Sequence, residues 1–567
     1  MRVKNFLSKA FILIFIFASL FSVVGCNKRD KIVRSESVVN VRVYKGGYGA
    51  DWIYELKRRF EALYADEGYK MNILQPSVDN GGVVVLNELA AGNAKSGVDL
   101  YFTTGNPVDT VTDGDYGMLV EDITQTVMNK PAIKYDGTLE SVNIADKMSP
   151  ETLNYMRGSD GNIYGFNWVQ SVAGFAVNTK KLAKYGLELP RTTDELFNCF
   201  DVIYKGTTHN GVTIPNSETS KTFPITYSYG NKYNNCLLNV MIAQYEGKER
   251  YAKFYSMQND DGTDMKTDGY KVFEMDGVLE MLKIAYRAFD VRVASYGTTS
   301  QGLDAAQAQI MKESGDNAVF IANGDWMLNE VKLNYRNLND IGFINFPVVS
   351  ALGTKLFGSG TSYNLSTDKC EELLSYIIGL VDENKSVDEI IAAVQQNKSV
   401  SLDAESAQTI AEARGVYYSR GIEHQGYIAK GARAKDLAEL VLRMYASEDF
   451  SKDFAKYSNG TSPYATEINN ETEYEFVRQA SAIAVNKYAD ILSPLTGFRK
   501  KMGLSNILTS MPNIPVTVGS QQISMYNNGA QTGTPSVYYD AAQTAFETEK
   551  TNTQSNWSTW LTQRGIS

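Results

Sequence analysis

The chain has 567 residues, a formal net charge of −10 and 43% hydrophobic residues, enough length and apolar material for two lobes. A balance this acidic is unsuited to a nucleic-acid groove, which needs a basic stripe, so no nucleic-acid partner is expected. With only His209 and His424, and no HExxH, GxSxG or GxxxxGK[ST], the sequence gives no basis for a zinc protease, a nucleophile elbow or a phosphate loop.

Arg2, Lys4 and Lys9 precede an almost wholly apolar run from Ala10 to Val24. The run is short for a membrane span and is followed at once by polar residues, so residues 1–25 read as a secretory signal. Its end, Val23-Val24-Gly25-Cys26, resembles the bacterial lipobox, which implies a lipid-modified Cys26 at the new N-terminus. The alternative is an ordinary signal with a chance cysteine. Removing the three cations makes the net charge about −13. Residues 26–37 are charged, with little to bury, and suit a flexible tether. No later stretch reads as a span, so a protein anchored by lipid at the outer face of the cytoplasmic membrane is expected.

Residues 39–44 (VNVRVY) alternate as a strand, Gly46-Gly47-Tyr48-Gly49 turns it, and 51–64 carries apolar residues at helical spacing. A strand at 71–74, a helix at 83–91 and a strand at 98–102 follow. Such alternation predicts an α/β sheet covered on both faces, with ligands beyond the carboxyl ends of the strands. Gly47-Tyr48 and Thr103 to Asn106 should therefore share one rim. Further on come a turn and strand at 161–168, a strand at 174–178, and a helix capped by Thr192 or Thr193. A helix is expected at 277–289. The stretch 317–331 reads as a buried strand, a turn at Asn323-Gly324-Asp325-Trp326, and a helix start. A strand at 341–347 follows. Residues 386–414 form a polar, helix-forming decoration, 436–446 an amphipathic helix, and 540–565 a last helix with Trp557 and Trp560 on one packing face.

Asn259 to Asp264 lacks the alternating oxygen ligands of a calcium loop and reads as a solvated turn, so no metal or cofactor is expected. Cys199, Cys236 and Cys370 are odd in number and contain no CxxC. Mostly buried free thiols are expected, with one disulfide pairing left open.

Several segments line up, in order, with one family. They are Asp99 to Phe102, Ile163 to Phe166, Gly174 to Leu182 with Tyr185-Gly186-Leu187, Pro190 to Leu196, Ala318 to Trp326, Ile341 to Pro347, and Gly426 to Gly431 leading into 436–446. The run resembles extracellular solute-binding protein family 1, the maltose-binding-protein-like receptors of sugar ABC importers. It covers most of residues 40–465. Asn167 stands where proline is usual and Ala176 where an aromatic is common; the helical insert after Asp368 and the C-terminal part enlarge the chain.

The resemblance implies a two-lobed periplasmic-binding-protein-like fold with a hinge and an interlobe cleft. Lobe 1 would hold 38–155 and 353–465, with the insert at about 386–414; lobe 2 would hold 156–352 and 466–567. It implies a receptor, not an enzyme, that captures a mono- or oligosaccharide and delivers it to ABC permease subunits. A sugar has a hydroxyl edge and an apolar face, which calls for an aromatic platform and fixed acceptors. Trp326 and Asp325 are the leading candidates, against a packing role for the tryptophan. Trp168, Tyr48, Asn106 and Tyr229 are the others. An exported carbohydrate-active enzyme and a peptide-binding or adhesin lipoprotein stay open as alternatives.

Overall fold

The structure is a computed structural model that describes residues 31–227, 233–256, 275–288, 302–467, 472–492 and 535–563, with scattered positions from 258 to 266 and at 294–295. The signal segment and Cys26, like Tyr229, lie outside the described residues.

Among the described residues twelve strands build two main sheets. In chain order they are β1 (Val38–Val43), β2 (Lys70–Ile73), β3 (Leu100–Phe102), β4 (Phe166–Asn167), β5 (Ala173–Asn178) and β6 (Thr222–Thr226). There follow β7 (Ala294–Ser295), β8 (Asn317–Gly324), β9 (Ile341–Ile344), β10 (Val416–Tyr418), β11 (Gln425–Ile428) and β12 (Asp490–Leu492). The first sheet runs β2-β1-β3-β11-β4 and the second β7-β6-β8-β5-β10-β12, with β9 also paired to β5. Within the first sheet β1 is parallel to β2 and β3, whereas β11 is antiparallel to both of its neighbours.

Helix α1 (Asp51–Leu63) shows why the first lobe closes. Trp52, Ile53, Leu56 and Phe60 recur on one face and are all buried against the sheet. Trp52 stacks on Trp168 with centroids 5.3 Å apart at 23°. Helices at 435–445 and 448–458 complete that core.

In the second lobe every residue of β5 and β8 is buried, as expected of central strands covered on both faces. The covering helices include α2 (Thr193–Lys205), α3 (Tyr233–Glu246) and α4 (Asp276–Ala288). Thr192 is the cap of α2, its hydroxyl accepting from the Glu195 N–H. The short α5 (Met327–Val331) leaves the end of β8.

The boundaries between lobes differ from the expected ones. The first stretch of lobe 1 runs on through Asn167, because Phe166–Asn167 pairs with β11 in the first sheet. The return expected from residue 353 begins only near Gln425. Between them α6 (Ala351–Phe357), α7 (Thr367–Asp382), α8 (Val387–Lys398) and α9 (Ala404–Gly415) form a layer of their own around Leu374, Ile377, Ile390 and Ile410. That layer includes Val348 and feeds into β10, which pairs with β12 and with Ala173, so it belongs to the second sheet's side. The last helix, α10 (Pro535–Gln563), packs along α4, with Trp557 buried and its indole N–H donating to the Lys266 carbonyl. Cys199, Cys236 and Cys370 are buried, and none forms a disulfide among the described residues.

Among the described residues three segments cross between the sheets, at 168–172, 419–424 and 459–465, and they are bonded to one another. The Gln170 N–H donates to the Thr461 carbonyl (2.9 Å) and the Arg420 N–H to Ser171 Oγ (2.9 Å). Ser171 is buried with φ of 45°, a left-handed conformation rare for serine and costly unless surrounding contacts enforce it. Gly421 passes so close to the Val169 and Gln170 carbonyls that no side chain fits there.

Candidate ligand-binding site

The carboxyl ends of β1 and β8 face each other below the crossing segments. After β1, Gly47 takes φ of 71° and lays the chain against Trp326, placing Tyr48 beneath it. After β8, Asp325 and Trp326 form the turn into α5. The two ends meet directly. The Tyr48 hydroxyl donates to Asp325 Oδ1 (2.8 Å), the Thr461 N–H donates to Oδ2 (3.2 Å), and Asn329 Nδ2 donates to the Gly47 carbonyl (2.8 Å).

Around this bond the aromatic rings form one cluster. Tyr48 lies edge-on to Trp168 (6.2 Å) and Trp326 (6.4 Å). His424 packs edge-on to Trp168 (5.1 Å) and Tyr48 (5.8 Å). Tyr44 lies 6.0 Å from His424, and Tyr233 5.1 Å from Trp326. Edge-to-face contacts of this kind hold ring orientation. Tyr48, Trp168 and Asp325 are fully buried and Trp326 nearly so, whereas Tyr44, Tyr233, His424, Arg420 and Glu423 are half-buried and form the outer edge of the cluster. Arg420 pairs with Glu423 at 3.0 Å and faces the Tyr233 ring. Asn329 Oδ1 beside the seam is shut off from water and receives no hydrogen bond.

The charges follow from this geometry. Burial pushes the Asp325 carboxyl up to about 7, against the hydrogen bonds from Tyr48 and Thr461 that favour its ionised form. Burial together with the Asp325 charge moves the Tyr48 hydroxyl well above its usual value. The His424 imidazole, walled in by rings, is held down to about 4, with Glu423 only partly opposing the loss of water.

Four of the six residues singled out in the sequence, Tyr48, Trp168, Asp325 and Trp326, are thus brought together from both lobes. They hold the seam shut rather than line an open surface. Trp168 is committed to the core, its indole N–H donating to the Thr103 carbonyl (2.9 Å). Asn106 is not at the seam: its amide donates to the Gly82 carbonyl and its own carbonyl accepts from Tyr427, which ties loops within lobe 1. The half-buried residues at the edge of the cluster went unrecognised in the sequence. His424 and Arg420 lie on a crossing segment, and only their place just before β11 marks them.

No family model and no curated protein matches the chain. Among solved structures, it is similar to a "probable secreted solute-binding lipoprotein" from Streptomyces coelicolor, with a TM-score of 0.51, 11% identity, and 91% of this chain and 100% of that one covered. It is also similar to the bacterial solute receptor AcbH, with a TM-score of 0.50, 10% identity, and 90% and 100% covered. At such identities the likeness is one of fold. The fold is therefore the two-lobed one of extracytoplasmic solute-binding proteins.

Proposed function

We propose that the chain is a receptor that captures a carbohydrate outside the cytoplasmic membrane, carries it without breaking any bond, and passes it to the permease of an ABC importer. The observation that carries this reading is the meeting of aromatic rings and a carboxylate from two lobes at one seam, with half-buried aromatic rings at its edge. Tyr44, Tyr233 and the edge of Trp326 supply apolar faces for a sugar ring, and Glu423 and Arg420 supply acceptors and donors for its hydroxyls. AcbH, which shares the fold, is described as having an exclusive substrate preference for β-D-galactopyranose, which supports a sugar as the ligand class. The lipobox at Cys26 supports an anchor that keeps the receptor beside its permease. Among the described residues no helix is long and apolar enough to cross a membrane.

The test is differential scanning fluorimetry against sugars, oligosaccharides and short peptides. A ligand present at a hundred times its Kd raises stability by about 2.7 kcal/mol. The expected result is a shift with one sugar class, lost in Tyr233→Ala and Trp326→Ala, with the sugar recovered intact. A sugar that is cleaved would make the protein an enzyme, and a response to peptides alone would overturn the carbohydrate reading.

A further inference from the structure

The chain just before β1, whose composition suits a flexible tether through Ser37, is bonded to lobe 1 from Lys31 onward. Asn72 Nδ2 donates to the Lys31 carbonyl (2.8 Å). The Val33 N–H donates to Asn40 Oδ1 (3.0 Å), and Asn40 Nδ2 donates back to the Val33 carbonyl (2.8 Å). Between them Ile32 lies so close to Gly97 that no side chain fits there, and it packs on the apolar cluster of Leu74, Val85 and Leu89. Ser35 then bridges to Val38 and turns the chain into the strand. Residues 31–37 thus form a strap at the amino-terminal end of β1, whereas Tyr48 and the seam lie past its carboxyl end.

The strap leaves a short leash. From Cys26 to Lys31 is five steps of chain, which reach at most about 18 Å. A folded body of this length has a radius of gyration of about 25 Å. Anchored at Cys26 with the strap docked, such a body cannot roll over its own width. With the strap loosened as far as Val38, the leash would reach about 40 Å and let the body turn.

The surface at the strap is basic although the chain as a whole is acidic. Lys31, Arg34 and Lys95 are exposed, with the Arg34 guanidinium donating to the Lys95 carbonyl (3.4 Å). Arg433, also exposed, is held beside them by Asp99, which accepts from the Arg433 N–H through Oδ1 (3.0 Å) and from the Asn40 N–H through Oδ2 (2.9 Å). Lys28 and Arg29 precede the strap in the sequence. These cations outnumber Asp30, Glu36 and the buried Asp99. Asp66 and Glu67 lie farther along, before β2, where Lys70 is paired with Glu61 at 3.9 Å.

We propose that the strap holds the receptor in one resting orientation, with the amino-terminal edge of lobe 1 against an anionic bilayer and the seam turned away from it. This rests on the lipid anchor at Cys26 proposed above. Negative headgroups attract Lys31, Arg34, Lys95 and Arg433 and repel the acidic remainder of the surface, an effect confined to a Debye length from the membrane. A seam turned outward suits capture. Delivery to a permease in the same bilayer then requires the strap to let go and lengthen the leash.

The test places the mature chain, acylated at Cys26, on vesicles of phosphatidylglycerol and phosphatidylcholine that carry a nitroxide-headgroup lipid, which quenches a dye only near contact. Cys199, Cys236 and Cys370 are buried, so a thiol-reactive dye goes to Ala94→Cys beside the strap or to Val83→Cys at the rim. These exposed positions flank the helix Gly82–Ala91 and stand about 15 Å apart. Quenching at position 94 should exceed that at 83 severalfold. Ile32→Gly combined with Asn72→Ala frees the strap and should bring the two together, and Lys31→Glu with Arg34→Glu should narrow the gap, as should high salt. Equal quenching in the natural chain, or stronger quenching at 83, overturns the orientation and leaves the anchor standing. The same gap on pure phosphatidylcholine overturns the anionic surface. A chain whose Cys26 carries no acyl group by mass spectrometry overturns the anchor and the orientation together. None of these touches the sugar reading, which rests on the seam.

Discussion

Burial of the Asp325 carboxyl between the lobes sets its charge against its hydrogen bonds. Tyr48 and Thr461 both donate to it, yet the loss of water prevails and moves the group from 3.8 to about 7. Between roughly pH 4 and 7 the folded chain therefore holds a proton that the unfolded chain has released, so this group's contribution to stability falls as pH rises and is level above that window. Over the whole window the change amounts to about 4 kcal/mol. His424 acts in the opposite sense. Held down to about 4, it stays neutral in the fold while the unfolded chain takes up a proton below about 6.5, so its contribution rises with pH from about 4 to 6.5. In Asp325→Asn the falling contribution of this carboxyl is removed while every other group is kept, so urea midpoints should climb with pH more steeply between 4 and 6.5 than in the natural chain. Parallel curves would mean that Asp325 is ionised in the fold. Removing the partner hydroxyl in Tyr48→Phe should cost about 1–3 kcal/mol near pH 7 by urea unfolding, since a buried acceptor then loses its donor. At this scale the sequence marked the carboxylate beside a tryptophan at a strand end. It did not mark the bond to Tyr48, which closes only when residues 277 apart in the chain meet.

Helices and strands were legible where a single face of apolar residues recurs at one period, as in α1, or where an unbroken apolar run marks a central strand, as in β8. What such patterns leave out is the partner. The apolar stripes of α7, α8 and α9 state that these helices pack, but not on which lobe. That choice is made by Val416–Tyr418 pairing with the second sheet, a contact between distant segments with no local signature. Helix ends are the opposite case, since their chemistry is local. Ser386 and Glu389 form a complete capping box at α8, each side chain bonding the other's backbone N–H. Ser386→Ala should destabilise this helix by about 1 kcal/mol. The first amides of α8 should then exchange with solvent about fivefold faster, with the seam unaffected. Unchanged exchange would show that the neighbouring helices, not the cap, hold that end.

Across the whole molecule, two lobes each with its own core are joined by three crossing segments and by a few direct bonds at the seam. The crossing segments are bonded to one another, and Asp325 bonds both Tyr48 and the crossing segment at Thr461. A ligand that touches both lobes shifts the open–closed balance by its differential affinity for the closed form and by nothing else. Asp325→Ala deletes two seam hydrogen bonds, about 2 kcal/mol in all. If Asp325 acts by holding the lobes, the unliganded variant should open, seen as a larger radius of gyration by small-angle scattering. Sugar should bind it about thirtyfold more weakly, the same free energy expressed as an equilibrium shift. At saturating sugar its scattering should return to that of the natural closed form, because the contacts at Tyr44, Tyr233 and Arg420 are intact. If Asp325 instead contacts the sugar itself, affinity falls while the unliganded scattering stays where it was. The two measurements on one variant therefore separate a residue that holds the lobes from one that holds the ligand, which the closed seam alone leaves superimposed.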